Sequence, residues 1–108
     1  PDDESSKVRL LEEVKRRAKG CVIAKDFLNA KLLYKRALEL SNDDDDHSSE
    51  ANKQMAILYS NTSLCCLSMG QFKEAHETAH EAVEKDPTYV KGYWRLAASL
   101  LGLKKPKE

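Results

Sequence analysis

Tyr59 and Tyr93 stand 34 residues apart, and the stretch around them reads as helix, turn, helix, turn, helix. Apolar residues keep helical spacing up to Met69, and Gly70 ends that run. Residues 72–84 carry a second helical pattern with Ala75, Ala79 and Ala82 on one side, and Pro87 marks the turn into a third. The motif has an earlier copy. Phe27, Ala30 and Ala37 each precede Phe72, Ala75 and Ala82 by 45 residues. A two-helix unit of this size cannot bury its own apolar face, so repeated units must stack.

The 45-residue offset exceeds the 34-residue period by 11, and the surplus lies between Ser41 and Met55. It includes four consecutive aspartates at 43–46, a run that repels itself and prefers solvent. A loop is therefore predicted over 41–47. The first helix is predicted over 7–24, with Val8, Leu11, Val14, Ala18, Cys21 and Val22 along its apolar side, after a frayed start capped by Ser5 or Ser6. A turn follows at Lys25–Asp26. The second helix covers 27–40 and buries Phe27, Ala30, Leu33, Tyr34, Ala37 and Leu38. The third, fourth and fifth are predicted over 49–69, 72–84 and 88–103. The fifth would leave Tyr93, Leu96 and Leu100 uncovered, open to a second copy or another chain. Pro106 suits the first turn of a further helix, which suggests a piece of a longer protein. Residues 1–108 are expected to form one domain.

The fold class is all-α: five helices in helix–turn–helix repeats that curl into a right-handed superhelix. Stacked pairs present the first helix of each pair on the concave side. Residues three or four apart share a helix face. That groups Lys15, Lys19 and Val22 on the first helix, and Ile57, Asn61, Leu64 and Leu67 on the third. On the fifth it groups Lys91, Trp94, Arg95 and Ala98. Together they hold four cations and an amide over a modest apolar floor, with Glu12 as the one carboxylate at the rim. Each cationic pair alone reads as ordinary solvated surface. Three sets on one surface point to an anionic ligand.

Net charge is zero, so general attraction to nucleic acid or to membranes cannot be argued from charge. No apolar run approaches a membrane span, and no signal peptide is seen at the start. Three cysteines, two of them adjacent, do not suggest a disulfide framework, and a reducing, cytoplasmic compartment is expected. Cys21 and Cys66 fall at equivalent core positions. His76 and His80 are i, i+4 but lack a third ligand at fixed spacing, so no metal or cofactor is expected. Trp94 reads as floor for an apolar side chain rather than a base-stacking platform. Ser60, Ser63 and Ser68 have no histidine placed beside them, and no phosphate loop occurs. The chain is not expected to be an enzyme, although a longer parent could carry a catalytic domain elsewhere.

The 34-residue period, with small residues late and a closing proline, is that of the tetratricopeptide repeat. The segments LYSN (58–61), MGQFKEA (69–75) and KGYWRLAA (91–98) resemble the tetratricopeptide domains of heat-shock co-chaperones. The Hsp70/Hsp90 organising protein and protein phosphatase five carry domains of this type. The likeness runs from about residue 11 to 103 apart from the acidic insertion. It implies repeats at about 11–44 and 56–89 and the first helix of a third at 88–103. It also implies a two-carboxylate clamp for the acidic C-terminal peptide of heat shock protein 90 or 70. Lys15 and Asn61 would hold the terminal carboxylate, and Lys91 and Arg95 the aspartate side chain or nearby carbonyls. Ile57, Leu64, Trp94 and Ala98 would contact an apolar side chain of the peptide. Lys19 departs from the family, which usually has asparagine there, and Ala18 stands where glycine is frequent. The alternative is a scaffold that assembles through the open face of the fifth helix without binding chaperone tails.

Overall fold

The computed structural model describes residues 3–42 and 48–104. They form α1 (Asp3–Ile23), α2 (Phe27–Asn42), α3 (Ser49–Ser68), α4 (Phe72–Lys85) and α5 (Val90–Lys104), with no strand among them. Each helix packs on the next, and α5 also packs on α3.

The two hairpin turns have the same construction. Lys25 donates its backbone N–H to the Val22 carbonyl at 2.9 Å, and Asp26 donates to Cys21 at 2.8 Å. Gly70 donates to Leu67 at 3.1 Å, and Gln71 to Cys66 at 2.8 Å. This 6→1 and 5→2 pairing satisfies the last carbonyls of α1 and α3 through one left-handed residue. That residue is Lys25 at φ 62° in the first turn and Gly70 at φ 74° in the second.

The fully buried Ala30 and Ala37 on α2, and Ala75, Ala79 and Ala82 on α4, let helices approach closely. Val14, Ala18, Tyr34, Leu38, Leu58 and Cys65 join Ala30 and Ala37 in one core cluster. α3 is enclosed on several sides and hides Ser60, Thr62 and Ser63 as well as its apolar residues. Thr62 returns its hydroxyl to the Leu58 carbonyl at 2.8 Å, and Ser63 donates to the Ala75 carbonyl of α4 at 2.7 Å.

Several boundaries differ from those expected from the sequence. α1 begins at Asp3, so Ser5 and Ser6 lie inside the helix instead of capping it. Glu4 in the first turn offers the negative charge that a helix start favours. Val8, on the apolar side of α1, is 55% exposed. α2 continues through Ser41 and Asn42, where a loop was expected; residues 43–47 of that loop lie outside the described residues. Ser41 holds the end by donating its hydroxyl to the Ala37 carbonyl at 2.9 Å. Ser48 caps α3, accepting from the Ala51 N–H at 3.1 Å. α5 starts at Val90 and not Thr88, because Asp86 accepts from both the Thr88 N–H (3.0 Å) and its hydroxyl (2.6 Å), holding a turn there. The expected helix start at Pro106 lies outside the described residues.

Candidate anion-binding groove

α1, α3 and α5 carry the candidate groups. Asn61, Ile57 and Leu64 sit half-buried on α3. On α5, Lys91 is exposed, Arg95 and Ala98 are half-buried, and Trp94 is 60% exposed. On α1, Lys15 is half-buried and Lys19 exposed. α3 and α5 pack directly on each other, so the faces bearing Asn61 and Arg95 belong to adjoining helices.

Cys65 belongs to the core cluster that α1, α2 and α3 share. It lies one turn after Asn61, and Cys21 of α1 packs against the same cluster. Burial is the main cause that raises the Cys65 thiol to about 11. The neighbouring Cys66 adds to this, Lys31 and Arg95 oppose it, and Cys21 adds a little. Cys66 is likewise raised to about 11, first by burial and then by Glu74. Both thiols are fully buried core groups, while Cys21 is only half-buried. The equivalence of Cys21 and Cys66 in sequence therefore does not extend to their burial. Among the described residues no group of three or more histidine, cysteine or acidic side chains could hold a metal. His76 is half-buried and His80 exposed.

The hydrogen-bonding state of these groups is uneven. Arg95 Nε is buried and has no acceptor among the described residues. Lys19, Lys91 and Arg95 make no ion pair there, and the Asn61 amide makes no hydrogen bond. Lys15 is engaged: its Nζ lies 3.2 Å from Glu12 Oε2. Glu12, which the sequence placed at the rim, is therefore a direct partner of a candidate cation.

A polar cluster on the α2–α4 side gave no sign of itself in the sequence. Lys31, only 8% exposed, donates to Gln71 Oε1 and to Glu74 Oε1, both at 2.8 Å. Lys35 Nζ reaches Glu74 Oε2 at 2.5 Å. Hydrogen bonds from Lys31 and then Lys35 hold the Glu74 carboxyl below the usual carboxylate range. Lysines at i, i+4 looked like surface, and only the 45-residue repeat could have hinted that this flank faces a neighbouring helix.

No family model matches the chain. Among curated proteins it is 36% identical to heat shock protein STI1 of Saccharomyces cerevisiae over 92 residues, 85% of this chain and 14% of that protein. It is 38% identical to human serine/threonine-protein phosphatase 5 over 94 residues, 87% of this chain and 17% of that enzyme. The chain thus spans about a sixth of the length of these relatives. Among solved structures, the Hsp90 co-chaperone Cns1 from Saccharomyces cerevisiae aligns with TM-score 0.74 at 24% identity, covering 92% of this chain and 30% of that one. That likeness bears on the fold. No described helix is long and apolar enough to cross a membrane.

Proposed function

Because the chain belongs to the tetratricopeptide-repeat domains of the co-chaperone type, we propose that it is a protein-interaction module for the acidic C-terminal peptide of heat shock protein 90 or 70, held by a carboxylate clamp. The observation that carries this reading is Arg95. A buried guanidinium N–H without an acceptor costs about 1–3 kcal/mol, a deficit that an arriving carboxylate or carbonyl removes. Asn61, Lys91 and Lys19 offer further donors without partners among the described residues, on the three first-of-pair helices. Lys15, Lys19 and Asn61 receive the terminal carboxylate. Lys91 and Arg95 take the aspartate side chain or a nearby carbonyl. Ile57, Leu64, Trp94 and Ala98 contact the peptide's apolar side chain. Ordering a flexible peptide offsets much of this, so affinity should be on the order of micromolar. The repeats are taken as about 11–44 and 56–89 with a third begun at 88–103, in a cytoplasmic protein. The segment itself is read as a binding module without catalysis.

Fluorescence anisotropy with an acidic chaperone tail tests the clamp. Arg95→Ala or Lys91→Ala should weaken binding about tenfold or more, since a hydrogen bond to a charged group is worth about 1.5–3 kcal/mol. Unchanged affinity in both variants rejects the clamp.

The scaffold reading has its own support. Tyr93 is 45% and Leu100 43% exposed, and Val90, Trp94 and Leu101 are exposed beside them, whereas Leu96 is half-buried. Sedimentation should then show a concentration-dependent mass that Leu100→Glu abolishes. A monomer at every concentration rejects that reading.

A further inference from the structure

We infer that Lys19, and not Lys15, is the main anion anchor on α1, and that Glu12 is an internal competitor holding Lys15 in reserve. This rests on the clamp reading and sharpens which α1 residue carries it. Lys15 and Lys19 sit one turn apart on one face, so by position either could meet a carboxylate. Their surroundings separate them. The Lys15 ammonium lies 3.2 Å from Glu12 Oε2, and its side chain is 31% exposed. A ligand carboxylate arriving there must displace Glu12 or share one ammonium with it, and two carboxylates at one site repel. Lys19 is exposed and has no ion pair or hydrogen bond among the described residues.

The described acids nearest to Lys19 in the sequence have other partners. Glu13 Oε2 accepts from Arg16 and from Arg17, both at 2.7 Å. Asp26, beyond the end of α1, accepts from the Asn29 amide at 2.7 Å. One turn to either side of Lys19 stand Lys15, Arg16, Val22 and Ile23, none of them acidic, so its charge is available to a ligand. A lysine carries a full charge on a long flexible stem and places it by reach more than by fixed geometry. Lys19 therefore meets a ligand carboxylate without first giving up a partner among the described residues, whereas Lys15 must release Glu12.

The test uses a fluorescein-labelled pentapeptide ending in Glu-Glu-Val-Asp, as free acid and as amide. Lys19→Ala and Lys15→Ala remove the same charge, so general electrostatic attraction cancels between them. Lys19→Ala should weaken acid binding about tenfold, the range of one charge-assisted bond, and Lys15→Ala about threefold or less. Glu12→Gln should tighten binding about two- to threefold, the size of an exposed ion pair, and the gain should vanish in Glu12→Gln/Lys15→Ala. If the acid is preferred over the amide but Lys15→Ala costs more than Lys19→Ala, the inference fails and the clamp stands. It fails in the same way if the Glu12→Gln gain is absent, or persists without Lys15. If acid and amide bind alike, the clamp reading itself fails.

Discussion

The α1–α2 and α3–α4 hairpins close on matching turns and pack on matching alanines, yet they differ in the charges on their flanks. In α2 the flank facing the next repeat carries Lys31 and Lys35, which grip Glu74 of α4 and Gln71 just before it. The positions 45 residues later, His76 and His80, carry no such ion pairs among the described residues. The counterparts of Gln71 and Glu74 are Asp26 and Asn29, whose side chains bond to each other. The small residues and turn geometry are what stacking demands, so they recur. The charges depend on what each hairpin meets. A repeat protein therefore separates its scaffold from its chemistry: the first is read in what repeats, the second in what does not.

Removing Glu74 should break this comparison most sharply. Glu74→Ala leaves a nearly buried Lys31 charge with only the neutral Gln71 as partner and should cost about 2–3 kcal/mol in urea unfolding, below the full penalty of a buried pair because Glu74 is partly exposed. The equivalent Asn29→Ala should change stability by no more than about 0.5 kcal/mol. Equal effects would mean that the α2–α4 cluster contributes nothing special.

The glycines give the next contrast. A Cβ at Gly102 would lie 2.2 Å from the Phe72 ring, while one at Gly20 meets nothing within 4 Å. Gly102→Ala should therefore destabilise by about 1–3 kcal/mol, and Gly20→Ala should stabilise by about 0.5–1 kcal/mol through helix propensity. The turns come next. Lys25→Gly relieves a side chain in left-handed backbone and should raise stability by about 1 kcal/mol, whereas Gly70→Ala should lower it by a similar amount.

The smallest effect is on pH. The Glu74 carboxyl is held below the usual carboxylate range by Lys31 and then Lys35. A depressed carboxylate contributes stability that is present above its unfolded value and fades as pH falls through its folded value. Unfolding midpoints should thus decline once pH drops below about 4.5, and Glu74→Gln should flatten part of that decline. A slope identical in both proteins would show that Glu74 takes no part in it.

Much of the scaffold was legible in the sequence. Gly70, Pro87 and the alanine rows place the hairpins because turns and close helix contacts tolerate few residue types. The turn at Lys25–Asp26 could be placed between two helical patterns, but lysine gives no local sign of the left-handed backbone that Lys25 adopts. Periodicity tells which side of a helix is apolar but not how completely each residue on it is covered, and Val8 on that side is exposed. Nor did it show that α2 runs on through Ser41, or that Asp86 delays α5. For the candidate groove, residue type and face could be read, but the engagement of Lys15 by Glu12 and the stranded Nε of Arg95 depend on side-chain packing.

The most direct test watches the Arg95 Nε–H proton by nuclear magnetic resonance while an acidic chaperone-tail peptide is added. A clamp built on Arg95 predicts a large shift with the free acid, as the buried N–H gains an acceptor, and little change with the C-terminal amide. A resonance that stays put with both peptides, or moves equally with both, would contradict it.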